Sequence, residues 1–200
     1  MPPYIYASGL VRIFRSEDIE TFALQGLDIS VNKGEIVALV GPSGAGKSTF
    51  LNLLAAFDKP DAGSLMVNEL NLVDANESVR AHYRQQHVGF LWQQTTRNII
   101  PGLTARENIM LPALLAGRPY AETMTGADEL LSAVDMLAFA DYDPMRMSGG
   151  QQQRIALATA LACKPAILLA DEPTGEVDWQ TAERILALLH SLRKIGRAHV

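Results

Sequence analysis

The sequence has little cysteine, no long apolar run and no excess of positive charge, and each shortage excludes something. Cys163 is the single cysteine, so an internal disulfide is excluded and a reducing compartment is indicated. No segment approaches the ~20 consecutive apolar residues of a membrane-spanning helix, so we expect any membrane association to come through a partner. The N-terminus has no basic segment followed by an apolar block, so we expect no secretory signal. With a formal net charge of −5, the chain gives no electrostatic reason to expect a nucleic-acid partner.

What the sequence does have is enough apolar material for a sizeable core. Apolar residues make up 48% of the 200 residues, which indicates a globular chain with one core and room for a subdomain. Alternating and β-branched patches predict short antiparallel strands over residues 4–6, 10–14 and 27–31. Farther along, the patterns predict strands over 35–40, 63–67 and 87–92, and helices over 49–56 and 76–86.

The middle of the chain, from about residue 95 to 162, has helical patterns and no strand signal. Thr104 and Glu107 have capping-box spacing at the start of a helix that Pro112 should kink or interrupt, and another helix is expected over 119–137. After this block we expect a buried strand over 166–170 and an amphipathic helix over 178–194, with Asp178 as its N-cap. Strands that alternate with helices on both sides of a helical block predict an α/β core with an inserted helical subdomain.

The most specific motif is a phosphate-binding loop of the pattern G-x-x-x-x-G-K-[ST], with the sequence Gly41-Pro42-Ser43-Gly44-Ala45-Gly46-Lys47-Ser48-Thr49. Glycines allow backbone N–H groups to turn inward around an anion, and a helix N-terminus favours phosphate. Lys47 is placed to reach the terminal phosphates of a nucleoside triphosphate, and Ser48 is placed to offer its hydroxyl to Mg²⁺. The strand expected before the loop and the helix expected after it provide the context that this motif requires.

Two carboxylates follow the strand expected over 166–170. The carboxyl end of a buried strand faces the crevice where ligands bind in open α/β sheets. Asp171 is therefore placed to hold Mg²⁺ through a water, and Glu172 to polarise the attacking water, as phosphoryl transfer requires. The alternative is that both are solvated side chains at a strand end.

The segment Met147-Ser148-Gly149-Gly150-Gln151 opens a helix. Ser148 and Gln151 have capping-box spacing, but two glycines in the first turn are unexplained, since each costs about 1 kcal/mol relative to Ala in a helix interior. Bare backbone N–H groups and a hydroxyl at a helix start form a second anion site. Because the phosphate-binding loop already serves one nucleotide, we infer that this site serves the nucleotide of another subunit.

Together these segments resemble the ATP-binding subunit of an ABC transporter over nearly the whole chain. In this resemblance residues 41–49 are Walker A, 167–171 are Walker B, and 147–151 are the family signature, with Met147 replacing the usual Leu. The resemblance implies that Gln93 is the Q-loop residue that touches Mg²⁺ and faces the membrane partner; Gln94 is the alternative. It also implies that Phe14 stacks on adenine, with a core strand position as the alternative, and that Asp178 of the D-loop (175–178) reaches across a dimer.

The resemblance implies a fold and an activity as well. The fold is α/β, a P-loop NTPase with a RecA-like core, an N-terminal antiparallel β-subdomain and an inserted helical subdomain. ATP and Mg²⁺ are the implied cofactors. Two copies would pack head to tail, close around ATP, hydrolyse it with Glu172, Lys47 and Gln93 as catalytic groups, and drive an integral membrane permease at the cytoplasmic face of the membrane.

The finer assignment has alternatives. Residues 108–117 and 171–175 are similar to the lipoprotein-releasing and macrolide-export group, and the ATPase of an importer is the alternative. A soluble ABC protein of DNA repair or translation is disfavoured, because the chain has one phosphate-binding loop and no long heptad run. A P-loop kinase outside the family would leave Ser148–Gln151 unexplained.

The expected domain boundaries follow the motifs. Residues 1–94 and 163–194 are expected to form the two parts of the ATP-binding core, and 95–162 the helical signature subdomain. The ending 195–200 resembles a translated sequencing adaptor, so we expect a non-native tail on a C-terminally truncated chain. The family's histidine that contacts the γ-phosphate is then expected beyond Val200, because His199 comes too early.

Overall fold

The computed structural model describes residues 2–16 and 19–172. The chain divides into two compact units, Met1–Arg84 and Gln85–Val200. The helix expected over 178–194, its N-cap Asp178 and the tail over 195–200 lie outside the described residues. Within the described ranges, no helix has both the length and the hydropathy that crossing a bilayer requires.

A four-stranded antiparallel sheet forms much of the first unit, in the order β2-β1-β3-β4. Its strands are β1 (Ile5–Ser16), β2 (Ile19–Val31), β3 (Ala62–Val67) and β4 (Leu70–Asn71). The predicted antiparallel pairing is confirmed, but β1 and β2 are longer than the short strands expected. A polar break at Ser8 and Gly9 is a bulge within β1, where the N–H of Gly9 donates to Asp28 Oδ1 at 2.8 Å.

The first unit also contains one helix and the greater part of a second. The helix α1 (Lys47–Leu54) lies against β2 and buries its apolar side chains, including Phe50 and Leu53. The helix α2 (Glu77–His87) follows Asn76, whose side-chain oxygen accepts the N–H of Val79 at 3.0 Å. Both helices confirm the sequence prediction to within two residues at each end.

The prediction of a strand over residues 35–40 is wrong. The structure has no strand there, and Ile36 and Val37 are about half exposed, while Val40 is 94% exposed. The run is apolar and β-branched, but a strand also needs a hydrogen-bonded neighbour. None of the strands in the described residues pairs with this segment.

The second unit is mainly helical. Its helices are α3 (Ala105–Leu115), α4 (Tyr120–Ala133) and α5 (Gly149–Leu161), with short 3₁₀ segments at Thr95–Asn98, Leu137–Phe139 and Pro144–Arg146. The three α-helices pack around one apolar core that includes Ile109, Leu131 and Ile155. The strand-free block expected over 95–162 is therefore helical, although α4 ends before the predicted residue 137.

The capping box at the start of α3 is confirmed. The N–H of Thr104 donates to Glu107 Oε2 at 2.8 Å, and the N–H of Glu107 donates to Thr104 Oγ1 at 3.2 Å. The sequence predicts a kink or an interruption at Pro112; the helix is not interrupted there, since α3 continues to the predicted end at Leu115. Pro112 lies in the last turn, where its missing N–H removes a single hydrogen bond close to the point at which the helix ends anyway.

A two-stranded parallel sheet of β5 (Val88–Leu91) and β6 (Ile167–Ala170) completes the second unit. Leu91 lies opposite Ala170, so both strands end at the same edge. The helix α5 packs on β5, where Leu91, Ala156 and Leu157 form a fully buried cluster. The parallel pairing therefore brings the segments that follow β5 and β6 side by side.

Candidate active site

The glycine-rich loop of the first unit, residues 41–49, wraps around a lysine. Gly44 (φ +80°) and Gly46 (φ +85°) are in the left-handed region, which residues with a Cβ rarely adopt. The Nζ of Lys47 lies across the loop and donates to the carbonyls of Gly41 and Pro42, both at 2.9 Å. Two glycines with left-handed backbone conformation therefore curve the loop around a cationic side chain, as a phosphate cradle requires.

Gly46 is also required by a close approach of the backbone. A Cβ at this position would lie 2.4 Å from the carbonyl oxygen of Ala23 and 2.7 Å from a methyl of Leu24, both on β2. Gly46 is the N-cap of α1, and the first turn of this helix holds no acidic residue and no side-chain cap. The helix start therefore offers its positive dipole end without a competing carboxylate, an arrangement that favours phosphate.

Phe14 lies near the end of β1, opposite Thr21 of β2. Its side chain is 45% exposed, so the alternative of a core strand position does not hold. The guanidinium of Arg12 lies over the ring, 4.8 Å from its centroid. An exposed aromatic ring of this kind can stack on a planar base.

In the second unit, the parallel strands bring Gln93 and Glu172 together. The Nε2 of Gln93 donates to Glu172 Oε2 at 2.9 Å, and the N–H of Asp171 donates to the carbonyl of Leu91 at 2.9 Å. Glu172 has φ +50°, so the chain turns sharply after β6. Gln94, the alternative to Gln93, is instead the N-cap of the 3₁₀ segment that follows and makes no side-chain capping bond.

The start of α5 holds the predicted second capping box. The N–H of Ser148 donates to Gln151 Oε1 at 3.0 Å, and the N–H of Gln151 donates to Ser148 Oγ at 3.4 Å. Gly149 is exposed, and a Cβ built there would meet no atom within 4 Å. Packing among the described residues therefore gives no reason for a glycine at this position.

The predicted site residues belong to different parts of the molecule. Phe14 and residues 41–49 lie in the first unit, whereas Gln93, Ser148–Gln151, Asp171 and Glu172 lie in the second. Within the second unit the structure brings Gln93 to Glu172. Asp178 lies outside the described residues.

Sequence reasoning missed two asparagines that shape the segment after β5. Asn98 accepts the N–H of Trp92 at 2.9 Å and donates to the carbonyl of Phe90 at 2.6 Å, so it joins the end of β5 to the segment that follows Gln93. Asn108, only 2% exposed, accepts the N–H of Ile100 at 2.7 Å. Asparagine within an apolar helical pattern, as at position 108, is the one available signal that such a side chain organises a neighbouring loop.

Sequence reasoning also missed a charged cluster beside Phe14. The carboxylate of Asp61 accepts the N–H of Ile13 at 2.8 Å and is paired with Arg12 at 2.9 Å and Arg15 at 3.0 Å. The Ile13 amide, followed by the guanidinium groups, lowers the pKa of Asp61 to about 2. Asp61 follows Pro60, and nothing in the sequence around it indicates a partner on β1.

Comparison with known proteins matches residues 24–175 to the family described as ABC transporter. The lipoprotein-releasing system ATP-binding protein LolD of Colwellia psychrerythraea is 42% identical over 98% of this chain and 76% of its own length. The protein of the same name from Bacteroides fragilis is 37% identical over 98% of this chain and 88% of its own length. The macrolide export ATP-binding/permease protein MacB of an Azoarcus species is 38% identical over 97% of this chain and 29% of its own length.

Among solved structures, a bacterial ABC transporter cassette in dimeric form has a TM-score of 0.87 and 36% identity, over 95% of this chain and 83% of its own. A dimeric ATP-binding cassette in a post-hydrolysis state with ADP and Pi has a TM-score of 0.86 and 35% identity, over 94% and 82%. These similarities confirm the predicted P-loop NTPase fold with its antiparallel β-subdomain and helical subdomain. The chain belongs to the ABC transporter family and is one of its ATPases.

Proposed function

We propose that this chain binds and hydrolyses ATP to drive a membrane permease of the lipoprotein-releasing or macrolide-export type. The observation that carries the proposal is the loop over residues 41–49, in which two left-handed glycines curve the backbone around Lys47 at the start of α1. Lys47 exchanges its two backbone carbonyl partners for the terminal phosphates of ATP. The loop amides and the helix dipole stabilise the remaining phosphate charge.

Glu172 is the group that polarises the attacking water. The Nε2 of Gln93 donates to Glu172 Oε2 at 2.9 Å, which orients the carboxylate towards the segment after β5. A permease that displaces the segment after β5 would move Gln93 and, through this hydrogen bond, Glu172. The contact therefore supports a role for Gln93 both in orienting the catalytic group and in reporting on the membrane partner.

Mg²⁺ fits the donor atoms that the proposal assigns to it. Ser48 offers a hydroxyl, Asp171 a carboxylate and Gln93 an amide oxygen, all hard ligands of the type that Mg²⁺ prefers. Because Gln93 donates to Glu172 through Nε2, Oε1 is the atom it would offer to the metal. When bound, Mg²⁺ neutralises charge on the β- and γ-phosphates.

Two chains act together, with each ATP between the loop of one chain and Ser148–Gln151 of the other. The exposure of Gly149 supports this arrangement, because a phosphate from another subunit could approach its backbone without meeting a side chain. ATP closes the pair since its γ-phosphate gives contacts to both chains, and hydrolysis removes those contacts. Asp178 would contribute across the same interface.

The permease and its location are inferred from the relatives. LolD proteins are named for lipoprotein release and MacB for macrolide export, and both names include ATP binding. We infer a chain held at the cytoplasmic face of the membrane by its permease. Co-purification with the permease encoded beside its gene would test this inference, and a partner that has the spans of a solute importer would contradict it.

The catalytic assignment is tested by two variants and a control. Glu172→Gln should lower turnover by about 10²–10⁴-fold and accumulate an ATP-bound dimer, visible by light scattering. Lys47→Ala should abolish ATP binding in calorimetry. Glu122→Gln removes an exposed carboxylate on α4 and should change neither. Unchanged ATP affinity in Lys47→Ala, or unchanged turnover in Glu172→Gln, would contradict the proposal.

A further inference from the structure

Arg12 lies beside the ring of Phe14, to which the family resemblance assigns the adenine base. Residues two apart on a strand share a face, so Arg12 and Phe14 project from the same side of β1. The guanidinium carbon lies 4.8 Å from the ring centroid, within the range of a cation–π contact. The ring nevertheless remains 45% exposed, so it has surface for a second partner.

The orientation of Arg12 is set by two carboxylates. Its Nε pairs with Asp58 at 2.7 Å and its Nη1 with Asp61 at 2.9 Å. Asp61 is itself fixed by the N–H of Ile13, the residue between Arg12 and Phe14. A planar guanidinium held at two of its nitrogens can present its face to a ring, which a flexible ammonium cannot do in the same way.

The same hairpin is fixed to the phosphate-binding loop. Arg12 pairs with Leu24 and Ile13 with Phe22, so Ala23 is an extra residue on β2 at this point. The carbonyl oxygen of Ala23 lies only 2.4 Å from the position that a Cβ of residue 46 would occupy. The bulge that adjoins Arg12 therefore lies against the end of the phosphate-binding loop, at the N-cap of α1.

We propose that Arg12 is a positioning residue for the nucleobase, which holds the Phe14 ring from one side so that the base stacks on the ring's remaining surface. The inference rests on the proposed function, because it requires ATP bound at residues 41–49. Arg12 itself does not touch the nucleotide; it acts through Phe14. Its effect should therefore depend on the base and not on the phosphates.

Calorimetric titration with ATP and with inorganic tripolyphosphate, each with Mg²⁺, separates the two contributions. Arg12→Met should lower the affinity for ATP about two- to fivefold, which is the range for an exposed cation–π contact. It should leave the affinity for tripolyphosphate unchanged. Retained tripolyphosphate binding also shows that the variant is folded. Arg15→Met is the matched control, since Arg15 pairs with the same Asp61 but contacts no aromatic ring among the described residues, and it should change neither affinity.

A double-mutant cycle with Phe14→Ala tests the route of the effect. Phe14→Ala should lower the affinity for ATP, and adding Arg12→Met to this variant should cause no further loss of affinity. If Arg12→Met does not fold, Asp58→Asn releases one of the two anchors of Arg12 and should give a smaller loss that is again confined to ATP.

Three results would overturn the inference and leave the proposed function intact. Equal weakening of ATP and tripolyphosphate by Arg12→Met would show a general structural role, and unchanged ATP affinity would show no role. A further loss when Arg12→Met is added to Phe14→Ala would show that Arg12 does not act through the ring. If the wild-type chain binds neither ATP nor tripolyphosphate, or Phe14→Ala leaves ATP affinity unchanged, the proposed function or its base site fails, and the role of Arg12 fails with it.

Discussion

Adding one methyl group to the glycine-rich loop should have very different effects at two neighbouring positions. Gly44 and Gly46 have nearly the same φ, +80° and +85°, so alanine at either position must adopt a left-handed backbone. That conformation costs a residue with a Cβ about 1–2 kcal/mol. At Gly44 the methyl would meet nothing within 4 Å, whereas at Gly46 it would lie 2.4 Å from the carbonyl oxygen of Ala23.

Gly46→Ala therefore has a second cost that Gly44→Ala lacks. An atom 2.4 Å from a backbone oxygen cannot be accommodated unless β2 or the loop shifts, and overpacking of this kind costs about 1–3 kcal/mol more. We expect a loss of about 1–2 kcal/mol in the free energy of unfolding for Gly44→Ala and roughly 2–5 kcal/mol for Gly46→Ala.

Urea unfolding followed by circular dichroism measures both values, and the difference between the variants isolates the contact with Ala23. Gly46→Ala should also lower the affinity for ATP more than Gly44→Ala does, because the shift displaces the start of α1. Equal destabilisation by the two variants would refute the reasoning, since it would show that the approach of Ala23 to Gly46 contributes nothing.

Three other side chains give predictions of known sign. Asp61→Asn should reduce the acid sensitivity of stability: the pKa of Asp61 is about 2 in the folded chain and ordinarily 3.8, so its contribution is present above pH 3.8 and lost as the pH falls towards 2. The free energy of unfolding of both proteins is measured between about pH 2 and pH 5, and the same pH dependence in the variant and the wild type would contradict this. Asn108→Ala should lower the free energy of unfolding by about 1–3 kcal/mol, because it removes a buried side chain that accepts the N–H of Ile100 and donates to the carbonyls of Leu103 and Thr104. Urea unfolding measures this, and a loss below about 1 kcal/mol would contradict a role for Asn108 in holding the loop before α3. Thr104→Ala should lower the free energy of unfolding by about 1 kcal/mol in the same assay, because it removes the capping hydroxyl. Thr104→Ser keeps the hydroxyl and should retain the wild-type stability; an equal loss in Thr104→Ser would exclude the cap as the cause.

Interactions between residues close in sequence were predictable. The capping boxes at Thr104 and Ser148 need only a hydroxyl and a Glu or Gln three residues later, and both form as expected. The loop over 41–49 is similarly local, because two glycines, a lysine and a following helix define its shape. In each case the partner atoms are held together by one or two turns of chain, so the sequence contains all the information needed.

Interactions that depend on pairing were not predictable in the same way. The apolar run over 35–40 has strand-like composition, yet composition does not supply a neighbouring strand. Asp61 and Arg12 are 49 residues apart, and they meet because β1 passes the turn that precedes β3. No periodicity within either segment indicates that contact.

The pair of Gln93 and Glu172 lies between these two cases. The residues are 79 positions apart, so no local pattern joins them. Each nevertheless follows a short buried strand, and carboxyl ends of parallel strands meet at one edge of a sheet. Once β5 and β6 pair in parallel, with Leu91 opposite Ala170, the two side chains are within reach of each other. The contact thus depends on strand order and on the turn at Glu172 (φ +50°), which explains why motifs could name both residues while only the folded chain joins them.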